Sequence, residues 1–508
     1  MQISRNACLA LLSFLVFALM LLNPSPFIRD EALYAQSIHE MFLNFTWAPH
    51  YLGKVVAWKP VLMFYLYSPV SAMLSSLPIP VEYLYRLPSI VLSALSVIVL
   101  YKLALQLTGN ERIAWFSALV YASLPVFLTY ASMVMTDVPA NFFILVSLYF
   151  YLKGGVDRRF FYLAGLAAAL VFLSKTFLAL LPILLATIYY ARKDKHIIFT
   201  REYMISVFFV LAAACLNALI FYLDSGNYGI ALIMKSYYFD FFLRTKIYST
   251  AYFNLPEAAL AMNFLLSIMM FLPWLGISAL GLRSLRLGEP SDLLLIAWLL
   301  LTVFLLMGSY GQFWYLLPVA PAYCILAGRE LASIPLSDDF LAKLLLAMCV
   351  TIGIVFFIIS VFLGTTSYAM DERTIGYFLQ DKGNVLAISQ YSSQILFYKF
   401  ANSSHPDYGT FSFVWGSERV NYSTGEIKSA VYHFEPGSDA KLADMFFSLD
   451  KRIISAHQPP VAFDWLAIEK NQSSFYPELS ADYCIMEGLL NLTDAKYAIL
   501  ARRNASLC

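Results

Sequence analysis

The sequence predicts a polytopic α-helical membrane protein, with about eleven transmembrane helices followed by a small soluble α/β domain at the C-terminus. Three observations carry that prediction. Hydrophobic residues make up 60% of the 508 and charged residues 13%, against roughly 25% charged in soluble domains, so much of the surface must face lipid. Apolar runs long enough to cross a bilayer recur through residues 1–363, whereas residues 364–508 are mixed, with polar turns such as Asn402-Ser403-Ser404 and Glu435-Pro436-Gly437. The net charge of +1 leaves no electrostatic footprint for a nucleic-acid partner.

In order, the runs are approximately 7–23, 87–107, 113–133, 138–152, 160–174, 176–191, 203–223, 258–280, 292–308, 314–333 and 342–363. With the N-terminus in the cytoplasm, the inner connections hold Arg5; Lys102 and Arg112; Lys153, Arg158 and Arg159; Arg192, Lys193, Lys195 and Arg201; Arg283 and Arg286; and Arg329 and Lys343. These fourteen cations in short loops satisfy the positive-inside bias. The six N-x-[ST] sequons, at Asn44, Asn402, Asn421, Asn471, Asn491 and Asn504, all fall on the outer side of the same arrangement, where such sites can be glycosylated. The expected location is the plasma membrane, with the C-terminal domain extracellular.

Residues 60–77 are apolar enough for a further span, but counting them so would turn every later basic loop outward. They are expected instead as a helix in or near the outer interface. Within 31–43, Tyr34, Ile38, Met41 and Phe42 form one apolar stripe opposite Gln36, His39 and Glu40, the pattern of an interfacial helix. Residues 1–23 are expected to stay as the first span, because Asn23-Pro24-Ser25-Pro26 lacks an A-x-A type cleavage site. The segment 224–257, with Lys235, Asp240, Arg244 and Lys246 among many tyrosines, reads as a mobile outer loop.

In the C-terminal domain, Val385–Ile388, Ala430–Phe434 and Tyr497–Leu500 read as strands and Asp444–Ile454 as a helix. Cys8, Cys215, Cys324 and Cys349 lie in apolar runs. Cys484 and Cys508 alone are placed where a disulfide could form, and whether they pair stays open.

Ionisable groups at membrane depth cost about 2.5–3.5 kcal/mol each on insertion scales, and they persist where they meet substrate, ion or partner. Arg29-Asp30-Glu31 stands just beyond the first run, and Asp137 where a later run breaks. These acids are read as an active site. Plainer readings stay open beside this one. Asp30 has the position of a solvated cap for the 31–43 segment, and Thr136-Asp137-Val138-Pro139 has the form of a helix N-cap with proline in the first turn. Arg86, Lys59 and Lys175 each have the alternative of reaching back to the interface as snorkelling cations.

The motifs Arg29-Asp30-Glu31-Ala32-Leu33-Tyr34-Ala35, Trp58-Lys59-Pro60, Arg86-Leu87-Pro88-Ser89, Asp137, Ser174-Lys175-Thr176 and Tyr315-Leu316-Leu317-Pro318 follow one another along the chain. This ordered set resembles the polytopic GT-C glycosyltransferases, and within them the protein O-mannosyltransferase and aminoarabinose (lipid A) transferase branch. The resemblance spans roughly residues 1–333; the C-terminal domain matches in position alone. It implies a GT-C transmembrane domain over 1–363, with juxtamembrane helices in its first outer loop, and an outer domain over 364–508. It also implies inverting transfer of one sugar, mannose or a similar hexose or pentose, from a polyprenyl-phosphate donor to a glycan, lipid or protein acceptor on the outer face. Such a displacement needs a carboxylate to take the acceptor proton and cations to stabilise the departing phosphate. On the resemblance, Asp30 is the general base, Glu31 orients it or binds acceptor, and Asp137 is the second acid. Arg86, Lys59 and Lys175 bind donor phosphate, and Tyr34 and Tyr315 line the substrate pocket.

The sequence departs from the aminoarabinose branch at Trp58, where that branch has a glutamate before the lysine, and at Val61, where it has a second proline. No metal ligand is therefore assigned; a divalent cation held by Glu31, His39 and His50 is the alternative. A transporter or flippase of lipid-linked sugars, without transfer chemistry, is the competing class. It leaves the ordered motifs and the outer domain unexplained. The outer domain also lacks the Trp-Trp-Asp motif expected of an oligosaccharide transferase to asparagine. Sugar and acceptor identity depend on pocket shape, which these motifs do not encode.

Overall fold

The computed structural model describes residues 5–21, 25–27, 29–51, 53–57, 59–74, 79–238, 270–307, 313–335, 369–382, 385–388, 392–401, 411–414, 431–432, 465–469, 483–485 and 497–502, with isolated positions between 337 and 358. In chain order the helices are α1 (Arg5–Leu21), α2 (Arg29–Asn44), α3 (Leu62–Leu74), α4 (Val81–Thr108), α5 (Glu111–Ala122), α6 (Pro125–Tyr130), α7 (Asp137–Gly154), α8 (Phe160–Lys175), α9 (Leu180–Lys193), α10 (Arg201–Tyr238), α11 (Trp274–Gly281), α12 (Pro290–Met307), α13 (Ala320–Ser333), α14 (Ala369–Phe378) and α15 (Ser392–Phe400). The chain forms two compact units, one of residues 1–23, 57–70 and 83–359, the other of 24–56, 71–82 and 360–508.

The first unit is a helical bundle in which α7 packs on α8, α8 on α10, α5 on α13 and α9 on α12. Val81–Thr108 and Arg201–Met234 are each long and apolar enough to cross a membrane. The apolar stretch Phe160–Lys193 reverses direction, because Thr176 leaves helical geometry (φ 14°, ψ −98°). Phe161 at the start of α8 and Tyr190 near the end of α9 then meet with ring centroids 5.9 Å apart, so the two helices run antiparallel. Gly165 lets α8 approach α10: a Cβ there would stand 2.5 Å from the Ser206 Cα.

Several expected elements change form. The run 113–133 is two helices, α5 and α6, since Pro125 cannot continue α5 and holds Leu124 extended (φ −71°, ψ 126°). The run 314–333 begins as a 3-10 turn, Phe313–Leu316, and becomes α-helical only at Ala320. Residues 224–238, expected in a loop, are helical: α10 kinks at Ser225 and Gly226 (φ 60°) and then continues, carried by the apolar run Ile230 to Met234. Asp240, Arg244 and Lys246 lie outside the described residues, as do most of the runs 258–280 and 342–363. Helix α3 has 13 residues, a rise of about 20 Å. That is short of the roughly 30 Å of a hydrocarbon core.

Contacts between connections define one end of this unit. The Tyr190 hydroxyl donates to Tyr151 O (2.7 Å), Arg192 Nε donates to Gly288 O (3.2 Å), and Arg329 pairs with Asp292 (2.5 Å). Arg112 Nη2 donates to Ile334 O (2.9 Å). The loops around 110, 155, 195, 286 and 334 therefore share an end, and with them Arg112, Lys153, Arg158, Arg159, Arg192, Lys193, Lys195, Arg201, Arg283, Arg286 and Arg329.

In the second unit a six-stranded sheet has the order β5-β4-β3-β6-β8-β7, with β3 (Val385–Ile388), β4 (Phe411–Val414), β5 (Val431–Tyr432), β6 (Trp465–Glu469), β7 (Tyr483–Ile485) and β8 (Tyr497–Arg502). Strand β3 is parallel to both β4 and β6, and the outer pairings are antiparallel. Residues 444–454 and Cys508 fall outside the described residues. Helix α2 belongs to this unit and packs on α15.

The helix expected over 31–43 forms as part of α2, but its polar side is not solvated: Gln36 and Glu40 are fully buried. Glu40 accepts from Gln36 Nε2 (2.7 Å) and from Gly53 N (2.8 Å). It thereby closes the hairpin of β1 (His50–Tyr51) and β2 (Lys54–Val55), whose turn uses Gly53 at φ 74°. The buried Glu82 accepts from the Tyr398 hydroxyl (2.8 Å) and pairs with Arg373 (3.3 Å), while Phe27 N donates to the same hydroxyl (3.0 Å). Burial, and then the charge of Glu82, hold the Tyr398 hydroxyl well above the usual tyrosine range, so it remains a donor.

Candidate functional site

The end of the first unit opposite the basic loops collects the predicted cations and one of the predicted acids. Helical rise places them: measured from the basic end, Lys175 lies about 22 Å along α8, Asp137 about 26 Å along α7 and Arg86 about 33 Å along α4. Asp137 opens α7, and its predecessor Thr136 makes no side-chain capping bond. The carboxylate instead pairs with the Lys175 ammonium, the two side chains being 5% and 13% exposed. Lys175 is the last residue of α8. Each charge thus sits at the helix end whose dipole favours it, an anion at an N-terminus and a cation at a C-terminus. The Lys175 ammonium also lies 3.8 Å from the centroid of the Tyr315 ring, a cation–π contact. Tyr315 is carried on the turn Phe313–Leu316, and Trp298 Nε1 anchors the following segment by donating to Pro318 O (2.8 Å).

Arg86 is 1% exposed, among the largest fully buried side chains. It heads a polar stripe on α4 formed with Ser89, Ser93 and Ser96, all buried and spaced at helical period. Ser89 donates to Met133 O (2.6 Å) and Ser93 to Ala131 O (2.5 Å). The Tyr67 hydroxyl of α3 meets Ser89 Oγ at 2.5 Å. These bonds bind α4 to the turn that leads into Asp137, so the face of α4 that carries Arg86 is the face turned to that segment. Lys59 is half-buried, and two residues on Val61 N donates to Asn217 Oδ1 of α10 (3.2 Å). One turn below Asp137, Asn141 Nδ2 donates to the Tyr121 hydroxyl (2.7 Å).

Asp30, Glu31 and Tyr34 lie on α2, in the other unit. Glu31 and Tyr34 are buried and Asp30 is half-buried. Trp58 lies outside the described residues. Among the described residues no group of three or more His, Cys, Asp or Glu is placed to hold a metal ion, Glu31, His39 and His50 included. Ser93, Tyr67, Asn217 and Asn141 were not among the residues singled out from sequence. Their signal was a polar side chain recurring at helical period, or standing alone, inside an apolar run.

A family model described as dolichyl-phosphate-mannose-protein mannosyltransferase matches residues 59–222. Undecaprenyl phosphate-alpha-4-amino-4-deoxy-L-arabinose arabinosyl transferase of Pseudomonas paraeruginosa is 29% identical over 350 residues, which are 66% of this chain and 61% of that protein. The Aeromonas hydrophila enzyme of the same name is 28% identical over 63% of this chain and 58% of its own length. The match thus spans about three-fifths of the length of these curated relatives. Among solved structures, ArnT from Cupriavidus metallidurans bound to undecaprenyl phosphate superposes with a TM-score of 0.67 over 98% of both chains at 14% identity. The apo form of the Archaeoglobus fulgidus oligosaccharyltransferase gives 0.51 over 78% of this chain and 64% of that one, at 13% identity. At such identities the structural likeness establishes the fold.

Proposed function

We propose, for a chain that has the GT-C fold and resembles the protein O-mannosyltransferase and aminoarabinose transferase branch, that it is a membrane glycosyltransferase. It moves a single sugar, mannose or a similar hexose or pentose, from a polyprenyl-phosphate donor to an acceptor on the outer face, with inversion. The observation that carries this reading is the buried Asp137–Lys175 pair with Arg86 and Lys59 at the end of the bundle opposite the basic loops. Charges are costly there, and a phosphate with a lipid tail repays them. The reading includes about eleven spans, a cytoplasmic N-terminus and an extracellular α/β domain.

In this mechanism Asp30 takes the acceptor hydroxyl proton as the new glycosidic bond forms, with Glu31 orienting it. Arg86 and Lys59 hold the departing phosphate and neutralise the charge it gains as the sugar–phosphate bond breaks. Asp137 keeps Lys175 in place at the same end, with the Tyr315 ring against the ammonium. Purified protein incubated with radiolabelled polyprenyl-phosphate sugars tests the proposal. Transfer to an acceptor supports it, and movement of the sugar lipid across liposomes without transfer overturns it. Asp30→Asn is expected to abolish transfer while donor binding persists; undiminished transfer would remove the base assignment.

A further inference from the structure

We infer that Tyr315 is a positioning residue: its ring face holds the Lys175 ammonium on Asp137, and it acts through that pair rather than by touching sugar. The inference deepens the proposed site and rests on that reading. Resemblance gives Tyr315 a place in the substrate pocket, but its ring centroid is 3.8 Å from the Lys175 ammonium, so that cation stands over the ring face. Asp137 Oδ1 engages the ammonium, which stands at the tip of a long lysine stem on the last residue of α8. Lys175 itself has left helical geometry (φ −155°, ψ 69°), so the helix does not fix its side chain. The ring can, because its own support is rigid: Leu316 and Leu317 are buried, and Trp298, fully buried, grips Pro318 O at 2.8 Å. The arrangement is a cation held between a carboxylate and a π face on three separate elements, α7, α8 and the turn before α13.

The test labels lysine amines with acetic anhydride in the reconstituted full-length protein without substrate and follows the Lys175 peptide by mass spectrometry. Tyr315→Phe keeps the ring and should label at the parent rate, whereas Tyr315→Leu should label about fivefold faster. Because the leucine variant could fail to fold, a series of isosteric phenylalanines with one, two and three ring fluorines is placed at 315. Labelling of Lys175 should rise stepwise as fluorine drains the ring face. In transfer assays Tyr315→Leu should lose kcat about tenfold with donor KM unchanged. Equal labelling across the series would overturn the inference, as would a tenfold rise in donor KM for Tyr315→Phe with labelling unaltered. Labelling needs no activity, so a protein that transfers no sugar would sink the proposed function and still leave the clamp decided.

Discussion

Lys175→Met puts the site geometry to an energetic test. The substitution keeps the stem and removes the cation from a pair whose side chains are 13% and 5% exposed. Removing one partner of a buried pair costs about 3–5 kcal/mol, most of it from stranding the other charge. Lys175 keeps some exposure, so the lower figure, about 3 kcal/mol, applies. Asp137→Asn alone strands the lysine less, because the Tyr315 ring still faces it, and about 1–2 kcal/mol is expected. Removing both charges relieves the stranding, so Asp137→Asn with Lys175→Met should be about 2 kcal/mol more stable than Lys175→Met alone. At roughly 2 °C per kcal/mol for a large domain, the lysine variant should melt about 6 °C below the parent and the double variant about 2 °C below it. Tryptophan fluorescence during thermal unfolding in one detergent, on parent, both singles and the double, closes the cycle. Additive shifts would show that the two charges are not coupled and would refute the pair as an organising element.

Arg86→Ala should weaken donor binding about tenfold to a hundredfold, the worth of one charge-assisted contact; an unchanged apparent donor affinity in a lipid-phosphate binding assay would count against its phosphate role. Gly165→Val drives a side chain into Ser206, whose Cα would lie 2.5 Å from the new Cβ, and should lower stability by about 1–3 kcal/mol or more, read as loss of folded protein by size-exclusion chromatography. Tyr398→Phe leaves buried Glu82 with one bond fewer and should cost about 1–3 kcal/mol in unfolding experiments. Because the Tyr398 hydroxyl is raised above its ordinary value of 10.0, its contribution is present below that pH and is lost as pH climbs toward the raised value. The phenylalanine variant should therefore show a shallower alkaline loss of stability than the parent; parallel pH curves would contradict this.

What sequence could reveal followed from how local each constraint is. Helices α1, α4, α7, α8 and α10 were legible because a long apolar helix writes itself as one uninterrupted apolar run. The breaks were written less plainly: Pro125 ends α5 through a steric effect on Leu124, and Gly226 kinks α10 without ending it, so a hydropathy reading overran the first and stopped short at the second. Helix α2 shows a different limit. Its period was correct, but Gln36 and Glu40 looked solvated, because the partner that satisfies Glu40, Gly53 N, comes from a hairpin 13 residues away. In the site, motif order pointed to Asp137, Lys175 and Tyr315 as separate residues with separate tasks. That they hold one another depends on three elements meeting, and no spacing in a linear chain reports such a meeting. The serine stripe on α4 was readable in principle, since Arg86, Ser89, Ser93 and Ser96 share a face, but only contact with Ala131 and Met133 gives it a purpose.

The distribution of charge between the two ends of the bundle bears on orientation. Eleven cations accompany the connections at one end, most of them exposed, and Arg329 among them pairs with Asp292. At the other end, among the described residues, Asp137 and Lys175 are largely buried and neutralise each other, Arg86 is withdrawn from solvent and Lys59 is half-buried. A solvated basic end is the form that the positive-inside bias selects, and it costs little. A buried charged end costs several kcal/mol on any insertion scale and has no topological reward. On the proposed function, this distribution agrees with basic loops in the cytoplasm and the Asp137 end outward. Cysteine accessibility at position 158 against position 177, both exposed, read with an impermeant reagent on intact cells, separates this orientation from its inverse.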